Sequence, residues 1–238
     1  EAERVGSTDR VKIVAQMDRY QGGFSGDGNW TDTRRYLLQQ DDDLDSIASD
    51  YQSIGEADMS DPQTLVDFVT WGIQNFPADK YVLIMSDHGM GWPGGWTDPE
   101  PRSARRSTTP LAQAIGDAMY LQDIDAALQT IRDQTGLDAF ELIGMDACLM
   151  GHMEVFTMLA PHARYAAASQ EVEPAVGWAY TAFLSQLAQN PDVTGRELGQ
   201  WIVDTYIVGD EEPYGFLAEG HHEGHVLVGA GFDGETPE

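Results

Sequence analysis

Three short runs, VKIVAQM (11–17), YVLIMSD (81–87) and AFELIGMDA (139–147), are apolar along most of their length instead of on alternate residues. Successive side chains of a strand point to opposite faces, so a strand with one wet face alternates and a continuous run must be covered on both. The segments between them have helical spacing. Leu65, Phe68, Val69 and Ile73 recur within 63–76, with Asp61 placed to cap and Pro62 to open the first turn. Leu121, Ile124, Leu128 and Ile131 recur within 121–136, where Gly136 suits a left-handed C-cap. GHMEVFTMLAP (151–161) reads as helical up to its proline, RYAAASQ (164–170) as a fourth strand, and 179–189 and 194–206 as further helices; HVLVGAGFD (225–233) is expected to close the sheet. Doubly covered strands separated by helices imply βαβ units. The expected fold is α/β, a three-layer α/β/α sandwich with a mostly parallel central sheet.

The 238 residues, 42% of them hydrophobic, suffice for one sizeable core, so a single domain over 1–238 is expected. HGMGWPGGWTDPEPRSARRSTTP (88–110) is too rich in Gly, Pro and charge for a packed element, and about 93–110 is expected to be an exposed loop. No apolar run of about 18 residues and no charged-then-apolar leader is visible, so neither a membrane partner nor a signal peptide is expected in this chain. Forty acidic residues against thirteen Lys and Arg, a formal charge of -27, argue against nucleic acid as a partner. Such a surface attracts cations and basic peptides, and salt adaptation explains it equally well. Cys148 is the single cysteine, which excludes an internal disulfide framework and leaves a structural thiol, an intermolecular bridge or a nucleophile.

Ligands of a parallel sheet bind beyond the carboxyl ends of its strands. YVLIMSD ends at His88 and FELIGMDA at Cys148, so a thiol and an imidazole 60 residues apart would emerge at one edge. A thiolate beside an imidazole is a nucleophile, and the start of the next helix would favour the thiolate further. Gly89 could offer an unobstructed N–H beside that of Cys148 to a developing oxyanion.

SDHGMGW (86–92) and MDACLMGHMEV (145–155) resemble the His and Cys motifs of the clostripain family of cysteine peptidases, which belongs to the caspase-like group with gingipains, legumains and separases. SQEVEPAVGWAY (169–180) resembles the segment after that family's next strand, which extends the likeness over most of 11–233. The resemblance implies a caspase-like sandwich and a dyad in which His88 is the base or imidazolium partner and Cys148 the nucleophile. Gly89 and Cys148 would supply the oxyanion N–H groups. It also implies cleavage after Arg, and less surely Lys, with Asp146 lining the pocket for that side chain; the alternative for Asp146 is to cap the following helix. Relatives carry a further acid just before the Gly-Trp pair, where this chain has Ala175 and Val176 before Gly177 and Trp178. Glu171 or Glu173 would have to substitute, with Val176 and Trp178 lining the same pocket. Self-cleavage between the two motifs would fall at Arg102, Arg105 or Arg106. The family further implies a peptide or protein substrate with a basic residue at the cleaved bond, a monomer, and a secreted or surface-attached bacterial protein. No cofactor is required, although some relatives use calcium. A caspase-like protease with another preference, and an idle acidic or calcium-binding module, are the competing readings.

HHEGH (221–225) lacks the spacing of a zinc-peptidase helix, so no metal site is assigned there and its histidines read as loop residues. DDDLD (41–45) and GDGNW (26–30) offer oxygens to calcium without the spacing of an EF-hand. His152 reads as structural.

Overall fold

The computed structural model describes residues 1–21, 26–98, 118–174, 176–211 and 226–232, with side chains described up to 206. Among the described residues nine strands and five α-helices follow in the order β1 (Val11–Met17), β2 (Thr33–Leu37), β3 (Tyr51–Gly55), α1 (Pro62–Asn75), β4 (Lys80–Ser86), β5 (Gly94–Gly95), β6 (Met119–Tyr120), α2 (Leu121–Thr135), β7 (Phe140–Asp146), α3 (Met153–Leu159), β8 (Ala163–Ala168), α4 (Tyr180–Gln189), α5 (Gly195–Glu211) and β9 (Val226–Phe232). Seven strands form one sheet in the order β3-β2-β1-β9-β4-β7-β8, and β5 pairs with β6 as a small separate ribbon.

Each of the apolar runs is a central strand, and successive residues feed opposite sides. Val14, Leu83, Met85, Ile143 and Met145 join a core beneath α1, α2 and α3. Ile13, Ala15, Val82, Ile84 and Leu142 join a second core with Phe183, Leu184 and Leu187 of α4 and Leu198 and Ile202 of α5. Both faces are covered, which is the three-layer sandwich that continuous runs demand. Helix ends follow their signals too: the Asp61 carboxylate accepts from the Gln63 N–H at 2.9 Å, and Gly136 takes φ 75° with its N–H on the Arg132 carbonyl at 2.8 Å.

The sheet is less uniform than the runs suggest. Parallel pairing joins β4 to β7 and β7 to β8, while β9 lies antiparallel between β1 and β4. The last strand therefore fills the middle of the sheet instead of closing its edge, a place its unbroken apolar sequence suits. β2 and β3 extend the sheet beyond β1 as antiparallel strands. The strand pattern did not reveal them, because β2 carries Arg34 and Arg35 and most of β3 is exposed. Arg34 stacks its guanidinium over the Trp30 ring at 4.2 Å and the Tyr51 ring at 3.9 Å, covering that edge with a cation. In direction, β1, β3, β4, β7 and β8 agree, so their carboxyl ends share one rim.

The loop expected at about 93–110 needs correction at its start. Gly94, Gly95, Trp96 and Asp98 are buried, held by the β5–β6 ribbon; residues 99–110 lie outside the described residues. Among the described residues no helix is long and apolar enough to cross a membrane.

Candidate active site

Ser86 and Asp146 face each other across the parallel β4–β7 pair, and two residues beyond each come His88 and Cys148. Register alone thus delivers imidazole and thiol to the same rim. Their loops touch through backbone. A Cβ on Gly89 would run into the Cys148 carbonyl oxygen and stand 2.9 Å from Met150 Cγ and 3.1 Å from Ala147 Cβ, so only glycine permits this approach. Gly89 also bridges to Gly95: the Met90 N–H donates to the Gly94 carbonyl at 2.8 Å and the Trp96 N–H to the His88 carbonyl at 2.9 Å. That pattern leaves the Gly89 N–H outside the bridge. Asp87 accepts from the Thr97 N–H at 2.8 Å, tying the same loop down. The His88 side chain is exposed and Cys148 half-buried.

The turn after β7 is clamped by the strap that follows β8. Leu149 adopts φ 62°, unusual for a branched side chain. Its N–H donates to the Glu171 carbonyl at 3.0 Å, and the Gly151 N–H to the Ser169 carbonyl at 2.6 Å. The Glu173 N–H reaches the Cys148 sulfur at 3.3 Å, so a backbone donor faces the thiol. α3 begins only at Met153, after His152 in the N-cap position. Asp146 therefore caps nothing, and the expected help of this helix to the thiol is removed. His152 lies against Gly91, 3.2 Å from where its Cβ would stand, a packing role.

Behind the sulfur, two acids meet. Asp146, 4% exposed, accepts the Tyr180 hydroxyl at 2.8 Å and the Trp178 N–H at 3.3 Å, both on Oδ2, with Ser86 as a further hydrogen-bond partner. Glu173 accepts the Trp178 indole N–H at 3.1 Å on Oε1 and hydrogen-bonds the Asp146 carboxyl. Burial, partly offset by these hydrogen bonds, raises the Asp146 pKa. Burial first, then the charge and hydrogen bond of Asp146, pushes Glu173 up to about 8 against the Trp178 hydrogen bond. Burial and the Asp146 charge raise Tyr180 well above its ordinary value. Gly177, at φ 67°, is required here: its Cβ would lie 2.7 Å from Asp146 Oδ2.

Of the expected pocket residues, Asp146, Glu173 and Trp178 come together, whereas Glu171 and Val176 are exposed. Tyr180 was missed by sequence reasoning, although it stands at the end of the GWAY segment. Ala175, Arg102, Arg105, Arg106, His221, His222 and His225 lie outside the described residues.

A second acidic group sits farther along the rim. Asp18 follows β1, Glu56 follows β3 and Asp98 follows β5; one carboxylate oxygen from each lies within 4.8 Å of the others, with Asp18 and Asp98 buried. The Thr33 hydroxyl donates to Asp18 at 2.6 Å and the Met59 N–H to Asp98 at 2.8 Å. Neither segment read as a calcium candidate contributes to this group. In 41–45, Asp41 and Asp43 accept local N–H groups at 2.7 and 2.9 Å; in 26–30, Asp27 accepts the Trp30 indole N–H and pairs with Arg19 at 3.3 Å.

Comparison with known proteins gives the family and the fold. The family model described as "Clostripain family" matches residues 2–213. Clostripain from Hathewaya histolytica is 31% identical over 175 residues, which is 63% of this chain and 29% of that protein. A secreted C11 cysteine protease from Bacteroides thetaiotaomicron, solved with an irreversible peptide inhibitor, superposes with TM-score 0.52 at 21% identity over 75% of this chain and 44% of that one. An inactive zymogen C11 protease from Parabacteroides distasonis gives TM-score 0.52 at 17% identity over the same shares. At those identities the structural likeness is one of fold. The chain spans less than half the length of each of these relatives.

Proposed function

The chain belongs to the clostripain family, and from that premise we propose that it is a cysteine endopeptidase cutting after Arg, with Lys as the second basic residue it would accept, through Cys148 and His88. The observation that carries this reading is the register of β4 and β7, which sends both residues from one rim into loops in backbone contact.

In the proposed reaction the Cys148 sulfur attacks the scissile carbonyl carbon, with His88 having taken the thiol proton. The carbonyl electron pair moves onto oxygen, where the N–H groups of Gly89 and Cys148 receive it. Collapse expels the amine, which takes its proton from His88, and leaves a thioester. Water, deprotonated by His88, then attacks the thioester and restores the thiol. The N–H of Glu173 at the sulfur favours the thiolate before attack and again as it leaves the thioester. Asp146, with Glu173 in place of the acid missing at Val176, would pair with the incoming guanidinium, since a cation entering this buried site needs a carboxylate.

Three further elements belong to the proposal. Activation follows self-cleavage after Arg102, Arg105 or Arg106. Calcium, held by Asp18, Glu56 and Asp98, would neutralise their charge and fix the loops leaving β1, β3 and β5, in keeping with an oxygen-only donor set. Export follows from the "secreted" relative alone. A changed preference is the second reading, favoured by Val176 standing exposed where relatives carry an acid.

Peptide-library profiling decides between them. Cleavage confined to Arg and Lys, abolished in Cys148→Ala, supports the proposal; cleavage after another residue class supports the second reading, and inactivity with or without calcium opposes both.

A further inference from the structure

Asp146 and Glu173 make an unusual pair: two carboxyls in contact with each other behind the nucleophile. Among the described residues no lysine or arginine hydrogen-bonds or ion-pairs with either. Tyr180 and the Trp178 N–H serve Asp146 Oδ2, Ser86 serves the same carboxyl, and the Trp178 indole serves Glu173 Oε1. Glu173 Oε2 is buried and has no donor among the described residues. Two ionised carboxylates cannot remain side by side in such a place; one proton must lie between them, or a cation must bridge them.

We propose that the empty pocket holds one proton between Asp146 and Glu173, and that an arginine side chain expels this proton to solvent as it binds. This rests on the pocket reading above and adds its regulation. Before binding, the two carboxyls and their proton carry one negative charge; afterwards two carboxylates face one guanidinium, and one proton has gone to the buffer. The exchange is noncovalent and balances in charge. Binding is therefore coupled to pH: acid holds the proton in place and competes with substrate, whereas alkaline conditions empty the site for it.

Among the described residues the titratable group in contact with the pair is Tyr180 from α4, and Cys148, from the turn after β7, meets the Glu173 backbone; Asp87 and His88 stand on the loop after β4, and Glu171 two residues before Glu173 on the strap. Tyr180 stays protonated over this range, because burial raises it well above its ordinary value. Glu173 also carries the link to chemistry. Its side chain belongs to the pair while its N–H touches the sulfur, so a change in the pair's charge falls beside the thiolate.

The test uses Cys148→Ala, which removes thiol titration and turnover. A peptide ending in Arg and its citrulline counterpart are titrated calorimetrically in buffers of different ionisation enthalpy, from about pH 6 to about pH 8. The expected result is release of close to one proton for the Arg peptide alone, with its Kd falling about tenfold per pH unit. Glu173→Gln in the same background should retain the preference for Arg and lose both the proton release and the pH slope. Preference for Arg with no proton release and a flat Kd would overturn the proton exchange and leave the pocket reading standing. Equal affinity for the two peptides would overturn the pocket reading, and the exchange with it. If Glu173→Gln does not fold, the proton count on Cys148→Ala decides alone.

Discussion

Glu173 concentrates several demands in one residue. Its N–H faces the nucleophile, Oε1 takes the Trp178 indole and its carboxyl hydrogen-bonds Asp146. A carboxyl whose pKa is raised to about 8 on folding holds a proton that the unfolded chain gives up near its ordinary value of 4.5. The folded state binds more protons between those two points, so this group's contribution to stability is complete below the lower and lost as pH rises through the upper. Thermal unfolding should show a melting temperature that declines across this window, and Glu173→Gln should flatten the decline; an unchanged profile would contradict the assignment. At this scale the sequence was partly legible. Cys148 could be read from its place at a strand end, and Asp146 only through the resemblance of MDAC to the family motif. Tyr180 could not, because its role depends on Gly177 turning the chain back over Asp146 at positive φ.

At the scale of elements, the β4 and β7 loops meet only because position 89 lacks a side chain. Gly89→Ala forces its Cβ onto the Cys148 carbonyl oxygen and displaces one proposed oxyanion donor. Loss of one such donor costs about 10²–10³ in kcat, and peptidase assays on the folded variant should show a drop of that order with little change in KM. The Asp61 cap offers a contrasting case outside the dyad and the pocket: Asp61→Ala should destabilise by about 1 kcal/mol, measured in urea, while leaving kcat intact. The strands that position the site were legible because being buried on both faces imposes an unbroken apolar run. β2 and β3 escaped notice for the converse reason, their stability coming from pairing and from Arg34 stacked on Trp30 and Tyr51 rather than from an apolar face.

Over the whole molecule, a formal charge of -27 sets the background for every local interaction. Self-repulsion on that scale is screened by salt, and a cation bound at Asp18, Glu56 and Asp98 would relieve it locally. Calcium at millimolar concentration should raise the melting temperature beyond the effect of matched ionic strength, and Asp98→Asn should abolish the difference; equal shifts with and without calcium would remove the metal from the account. No sequence pattern announced this group. Its members lie 38 and 42 residues apart and converge only because β1 and β3 end on the same rim as the loop after β5. That rim also gathers the proposed nucleophile and base, and their cooperation is the centre of the account. The most direct measurement is the rate at which an arginyl chloromethyl ketone alkylates Cys148, followed by intact mass in the wild type and in His88→Ala. One adduct on Cys148, formed at least about a hundredfold faster in the wild type at neutral pH, is the predicted result. Equal rates in the two proteins, or an adduct elsewhere in the chain, would contradict it.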